Sequence, residues 1–533
     1  MKPFCSKLYA FSIHFIQLLG LVLTFCLFLG SFLFTCYAAD MESQKVLTAW
    51  DNPLFGLLGI SLFVIAGFLL CLLSLKLLPD ASQTKYLLFA VLAWQLALGA
   101  LLILFGKTVP AADSMSVYSA AEALASEDTS VIHPTDSYLS YYPQQIGLTA
   151  FYELLIRIWK LFPFSLPAYH FIKCMNVIFA CFIVVFQYKT VQLLWKSVSA
   201  HRLYLLFAAG NAPLIMYTSF VYGEIPSFAA VSIGFYCLLK LLQSHSRYIL
   251  YGSCSVVFMA LSVMLRKNSL IFVIAALIVL ILQTLVQPNK PRSGFLLLIA
   301  LLCAVSALGI LPFVQKTYEL RAGNTLKSGV PAISYLAMGM QEASRGNGWY
   351  NGFNFNTYQE TGMNTAATAD ISREAISERL QYFKNHPGYA ADFYFKKHLS
   401  QWADGTYAAR QATLATFGGR TEWFNKLYAG RYSSFLIAYC NIYQNVLYLG
   451  AFLFCLYMSA KSRSQKNELR LPLWLGMIGI VGGFLFHIFW EANSRYILLY
   501  SLLFLPYGAG GLNGLFLKLS AAQKTQNPKG DPQ

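Results

Sequence analysis

The chain has 533 residues, of which 57% are hydrophobic, 16% aromatic and 12% charged, with a net charge of +16. A soluble protein of this length needs far more polar surface, so the composition is that of a polytopic membrane protein. The positive balance does not indicate nucleic acid, because most Lys and Arg fall in short gaps between apolar runs, where they orient helices against anionic lipid.

The first forty residues, MKPFCSKLYAFSIHFIQLLGLVLTFCLFLGSFLFTCYAAD, are basic and then apolar. The apolar part runs for about 24 residues, longer than a signal-peptide core of roughly 7–15, and reads as an uncleaved signal-anchor. Its CYAAD end leaves cleavage as the alternative. Twelve runs are long enough to span a bilayer: 13–36, 54–78, 86–106, 168–194, 203–220, 225–243, 247–265, 268–287, 293–314, 432–459, 471–489 and 494–517. They divide the chain into two N-terminal helices (1–85), a transmembrane core (86–314) with a first outer loop at 107–167, an extracytoplasmic loop domain (315–431), three C-terminal helices (432–517) and a tail (518–533). The expected fold class is therefore an all-α polytopic membrane protein of about twelve transmembrane helices.

One further segment, PQQIGLTAFYELLIRIWKLF at 143–162, carries Glu153 and Arg157 one helical turn apart in its middle. It is predicted as an amphipathic helix lying at the interface, which hides a polar face more cheaply than a spanning helix does. With the N-terminus inside, the inner gaps then hold Lys76/Lys85, Lys196/Arg202, Lys240/Arg247, Lys290/Arg292, the run KSRSQKNELR (Lys461, Arg463, Lys466, Arg470) and the tail cations Lys518, Lys524 and Lys529. Every inner gap carries at least two cations, as the positive-inside rule asks. Counting 143–162 as a span would move these gaps outside. Both termini are thus expected in the cytoplasm and the two long loops outside.

In the second outer loop, ADISREAISERLQYFKNHPGYAADFYFKKHLSQW reads as helix with Asp370 as N-cap and a break at Pro387. Before it, RGNGWYNGFNFNTYQETG has no clear period and suits a binding surface or lid, or an ordinary surface loop. Gly479/Gly483 and Gly510/Gly514 are GxxxG spacings that predict close helix packing. The eleven cysteines, among them Cys71, Cys237, Cys303 and Cys455, show no zinc spacing and read as small buried hydrophobes.

On the outer side this topology places Arg266 and Lys267 in VMLRKNSLIF and Arg495 in FWEANSRYILLY. Each cation alone reads equally as a headgroup anchor. Together, beside acidic residues, they suggest a site for an anionic headgroup such as a lipid phosphate, to which Arg offers a bidentate fork. The acidic residues on that side are Asp113, Asp136, Glu224 and Glu491, any of which can be a general base or metal ligand, although on sequence alone Asp113 reads first as a solvated loop residue. Glu491 and Arg495, spaced i,i+4, can also simply pair with each other. His133 has no partner at ligand spacing. No GxxxxGK[ST], HExxH, GxSxG or dinucleotide fingerprint is present.

Asp113 with SVYSAAEALA, the peripheral helix opened by YYPQQIGL, the turn FVYGEIPS, LRKNSLI and the closing EANSRYILLY together resemble GT-C fold glycosyltransferases of the family 39 type. That family includes protein mannosyltransferases and lipid A aminoarabinose transferases. The resemblance spans roughly 86–517, with the two N-terminal helices an addition to the core. It implies transfer of a sugar from a polyprenyl-phosphate donor to an extracytoplasmic glycan, lipid or protein, with inversion and without a nucleotide. Asp113 is then the catalytic base, and Arg266, Lys267 and Arg495 bind the donor phosphate. Glu224 orients the acceptor or holds a divalent cation, and Tyr142, Gln144, Tyr222, Asn268 and Glu491 are substrate contacts. The family's peripheral helix often carries a charged residue where this chain has Pro143-Gln144-Gln145, so no charge-based role passes to that segment. A bacterial plasma membrane fits this reading. The rival readings are a transporter or flippase of lipid-linked sugars, a non-catalytic envelope-assembly scaffold, and a polymerase or ligase with a diphosphate-linked donor.

Overall fold

In hydrocarbon every backbone N–H and C=O must be paired within its own segment, so the apolar runs have one solution, the helix. A computed structural model of the chain describes residues 2–38, 45–135, 137–162, 165–244, 246–287, 289–414, 421–464 and 471–526. Asp136, Lys466, Arg470 and Lys529 lie outside the described residues. Among the described residues, eleven helices are long and apolar enough to cross a membrane. The protein is an all-α polytopic membrane protein.

The predicted span at 203–220 is not one helix but two, Val198–Ala209 and Ala212–Tyr217. The cause is local: Asn211 Oδ1 accepts from Leu214 N at 3.0 Å, a side-chain cap that starts a new helix, and Pro213 suits its first turn. The carbonyls freed by the break are satisfied by neighbouring helices. Tyr443 Oη donates to Phe207 O at 2.7 Å, Gln95 Nε2 to Ala208 O at 3.0 Å, Trp94 Nε1 to Ala209 O at 3.1 Å and Tyr439 Oη to Gly210 O at 2.7 Å. The broken pair still runs the length of its neighbour Thr84–Gly106. At one end Arg202 binds the Leu78 carbonyl, and at the other Thr108 Oγ1 donates to Ser219 O at 3.1 Å.

The first helix is Lys2–Leu33, and the predicted end of that span is instead the start of a two-stranded antiparallel hairpin, Phe34–Ala38 with Val46–Trp50. The helix packs into the bundle, with Ser31 Oγ donating to Asn445 Oδ1 at 2.5 Å. Helices Ser433–Ser464 and Ser494–Gln526 meet where a Cβ on Gly511 would lie 1.9 Å from Gly450 O. Gly483 is likewise packed, by Tyr500, but Gly514 faces open space and plays no part in the predicted packing.

The segment at 143–162 is a short 3₁₀ turn followed by the helix Ile146–Lys160, about 22 Å long and too short to span. Its Glu153 is 3% exposed and accepts from Arg157 at 2.8 Å and Arg321 at 2.7 Å, while Glu127 takes up the same two arginines at 2.7 and 2.6 Å. Arg321 ends the 33-residue helix Lys290–Ala322, about 50 Å long, which continues well beyond a bilayer's thickness and holds the peripheral helix there.

The segment 315–431 contributes Ala332–Gly339, Phe353–Glu360, Thr365–Asn385, Pro387–Trp402, Ala409–Leu414 and Glu422–Tyr428. Pro387 makes the expected break. Asp370 is not the N-cap. Asn364 is, accepting from Ala366 N and Ala367 N at 3.1 Å each, and Asp370 lies inside the helix paired with Arg373. The Ala-rich run between them favours helix and extends it nearly two turns further back. The stretch with no clear period is ordered by glycines at positive φ, including Gly348 at 73° and Gly352 at 86°.

Candidate active site

Glu224 opens the helix Glu224–Gln243, and Arg266 occupies the extended residue after Tyr248–Leu265. A Cβ on Gly223 would lie 2.5 Å from Leu265 O, so only glycine lets the two helix ends approach this closely. The approach brings Arg266 Nη1 to 2.6 Å from Glu224 Oε1, with Glu224 only 1% exposed. Arg495, the second residue of Ser494–Gln526, holds its Nε 3.5 Å from the same carboxylate oxygen. Ser494 is itself fixed, donating to Asp404 Oδ2 at 2.7 Å, while Asp404 also accepts from Thr406 N and Ala408 N.

Aromatic rings flank both guanidinium groups. Arg266 Cζ and Arg495 Cζ each lie 5.5 Å from the centroid of Tyr496, and Arg495 also lies 5.3 Å from Tyr222 and 5.7 Å from Phe220. One carboxylate against two guanidiniums leaves a net positive charge. The Nε atoms of both arginines are buried without a hydrogen-bond partner among the described residues. Such a pair of forks has spare donors for an anion.

Glu491 lies in the turn between Leu475–Phe489 and Ser494–Gln526 and is 6% exposed. Tyr496 Oη donates to its Oε2 at 3.3 Å. Burial pushes its carboxyl up to about 7, with the Asp113 charge adding to the rise and Arg495 and Tyr496 opposing it. The predicted i,i+4 ion pair with Arg495 is not made. Residues 491–493 are not helical, so the spacing does not put the two side chains on one face, and Arg495 turns to Glu224 instead.

Asp113 is exposed in the first turn of Ala112–Ala125. Its neighbour Ser114 donates to Val221 O at 2.8 Å, which stitches this turn to the residue before Tyr222. The Asp113 charge is accordingly felt at Tyr222, Tyr142 and Glu491. Tyr222 Oη accepts from Gln145 Nε2 at 2.6 Å, so it is Gln145, not Gln144, that ties the peripheral segment to the site. Asp113, Tyr142, Tyr222, Glu224, Arg266, Glu491 and Arg495 thus meet at one end of the bundle.

Lys267 and Asn268 form a 3₁₀ turn beside Arg266, with Lys267 exposed and without an ion-pair partner among the described residues. His133 bonds locally, its Nδ1 meeting Thr135 O at 2.8 Å. The donors present do not fit a divalent cation at Glu224. Its carboxylate already faces two guanidiniums, and among the described residues no three His, Cys, Asp or Glu side chains converge. Sequence reasoning missed Gly223, Gln145, Tyr496 and Asp404. Gly223, Gln145 and Tyr496 sit next to residues it had singled out, but the buried role of Asp404 leaves no local mark.

Fold and site together define a multi-pass, all-helical membrane protein with a charged centre at one end of its bundle. More particularly, the chain belongs to the family described as conserved hypothetical integral membrane protein, whose model matches residues 7–509. No curated protein matches the sequence. The structure is similar to that of the archaeal oligosaccharyltransferase AglB from Archaeoglobus fulgidus in complex with an inhibitory peptide and a dolichol-phosphate. Identity is 13% and the TM-score 0.44, over 84% of this chain and 53% of that one. The apo form of the Archaeoglobus fulgidus oligosaccharyltransferase matches at 12% identity and a TM-score of 0.46, over 85% and 53% of the two chains. This chain spans about half the length of those solved structures.

Proposed function

We propose that the protein is a GT-C type glycosyltransferase that moves a sugar from a polyprenyl-phosphate donor to an extracytoplasmic acceptor. The observation that carries the reading is the net positive Arg266–Glu224–Arg495 centre at a helix-end boundary with the exposed Asp113 carboxylate close by. A lipid phosphate is the anion available at that depth, and Arg495 is the group with donors to spare for it. As the C1–O bond to phosphate breaks, its electron pair goes to the phosphate oxygen, and the guanidinium groups stabilise the charge that grows there. Asp113 takes the proton of the acceptor hydroxyl as that oxygen bonds to C1 from the opposite face, so the anomeric centre inverts. Glu224 in this reading orients the two arginines rather than the acceptor, and Lys267 stands outside the clamp.

The cation distribution supports an extracytoplasmic site. Arg202 and Arg292 bind backbone carbonyls at the opposite helix ends, those of Leu78 and of Leu241, where a positive-inside topology puts the cytoplasm. With both termini on that side, the second outer loop covers the site from outside.

The test is transfer by purified protein in nanodiscs, supplied with radiolabelled lipid-linked sugars extracted from its host membrane. Asp113→Asn is expected to lower transfer by about 10²–10⁴-fold while the protein still binds polyprenyl phosphate. Undiminished transfer by this variant would sink the base assignment, and absence of transfer by the unmodified protein would sink the enzyme reading.

A further inference from the structure

The acceptor side of the site has a chemistry of its own, and the inference drawn from it rests on the glycosyltransferase reading above. Three tyrosines from three separate outer segments, Tyr142 and Tyr335 half-buried and Tyr350 exposed, gather around Asp113 and Glu491. Tyr142 comes from the turn before the peripheral helix, Tyr335 from Ala332–Gly339 and Tyr350 from the glycine-rich stretch. Each phenol feels the charge of both carboxylates.

Tyr142 and Tyr335 are held through their rings and Tyr350 through its backbone, by features that the transfer chemistry does not require. Tyr335 stacks on Trp490 at 5.2 Å with only 5° between planes, and Trp490 stacks in turn on Phe486 at 4.8 Å. Tyr142 packs against Tyr138 at 5.1 Å. Tyr350 follows Trp349, which bridges to Ala492 through Ala492 N donating to Gly348 O at 2.7 Å. Gly348 is pressed against Lys397, where a Cβ would meet Lys397 Cε at 2.8 Å. Lys397 in turn donates to Gly339 O at 2.5 Å and Ile488 O at 2.9 Å. The latch thus fixes Tyr335, Tyr350 and the Glu491 turn relative to one another.

We infer that Asp113, Glu491, Tyr142, Tyr335 and Tyr350 form a carbohydrate subsite, so that the acceptor is a glycan rather than a peptide or a lipid. A sugar ring offers an apolar C–H face that rests on aromatic rings and a rim of hydroxyls that needs convergent polar groups. Rigid tyrosines around two carboxylates supply both. A peptide acceptor held by strand addition would need an exposed strand edge. Among the described residues the sole sheet is the two-stranded hairpin at Phe34–Ala38 and Val46–Trp50, which lies against Pro387–Trp402. Glu491, poised near neutrality, both donates to and accepts from a hydroxyl.

The experiment is saturation-transfer NMR on the full chain in nanodiscs. The probes are the methyl glycosides of glucose, galactose, mannose and N-acetylglucosamine, a hexapeptide containing Ser and Thr, and undecaprenyl phosphate measured separately for binding. At least one glycoside is expected to receive saturation at its ring C–H protons while the peptide receives none. Tyr350 is 38% exposed, so its replacement leaves the fold intact. Tyr350→Ala is expected to weaken glycoside binding about tenfold, and Tyr350→Phe to keep it within about twofold. Binding of the peptide alone, binding of no glycoside, or indifference to both Tyr350→Ala and Tyr335→Ala overturns the inference. If undecaprenyl phosphate still binds in that event, the acceptor assignment alone has failed. If glycosides bind and undecaprenyl phosphate does not, the subsite stands and the glycosyltransferase reading falls.

Discussion

Glu224 and Arg266 lie 2.6 Å apart because Gly223 rests directly on the Leu265 carbonyl. The ion pair is buried, so its worth is best seen by breaking it. Removing Glu224 leaves two buried guanidiniums without their shared carboxylate, which costs about 3–5 kcal/mol, whereas removing Arg266 leaves Glu224 still facing Arg495 and costs less. Glu224→Ala is therefore expected to destabilise strongly, and Arg266→Ala less so because Arg495 still faces the carboxylate. The double variant should recover at least about 1 kcal/mol of that loss in a double-mutant cycle measured by denaturant unfolding in detergent. Additive losses would show that the pair is not coupled.

The two cations that follow one another in LRKNSL differ in what they can do. Arg266 Nη1 is committed to Glu224, Lys267 is exposed, and Arg495 Nε is buried with no hydrogen-bond partner among the described residues. Arg495→Gln is expected to weaken binding of undecaprenyl phosphate by about 10–100-fold, while Lys267→Gln changes it by less than about twofold. Equilibrium binding in nanodiscs checks both at once, and the reverse ranking would move the phosphate site to the membrane surface beside Lys267.

That contrast also shows which parts of the molecule were legible in the sequence. Spans read well because hydrocarbon enforces long apolar runs, and the peripheral helix read well because Glu153 and Arg157 share a face that lipid would not accept. The broken helix at Gly210-Asn211 did not, because its freed carbonyls are satisfied by Tyr439, Tyr443, Trp94 and Gln95, which are remote in sequence. At the site, charges at helix ends pointed to Arg266, Glu224 and Arg495, which the structure brings together. Pairing was not legible, because it depends on where a helix begins. Glu491 and Arg495 have helical spacing, yet the helix starts at Ser494. Nor did the sequence distinguish Gln144 from Gln145, since their difference is one of direction around a 3₁₀ turn.

The carboxyl of Glu491 gives the site a pH dependence whose sign is fixed. Burial raises it from 4.5 to about 7, Asp113 adds to the rise, and Arg495, Tyr496 and Arg345 oppose it. Between those values the folded protein holds a proton that the unfolded chain has released. The stability associated with that proton is complete below pH 4.5 and is lost as pH rises through 7. A full proton difference corresponds to a slope of about 1.4 kcal/mol per pH unit. Glu491→Gln keeps the shape of the side chain without titrating. Its unfolding free energy should therefore lose about that slope relative to the unmodified protein across pH 4.5 to 7. Chemical denaturation of both proteins at several pH values in that window measures the difference. Parallel pH profiles would mean that Glu491 is ionised throughout, and its role in the carbohydrate subsite would then be that of an acceptor alone.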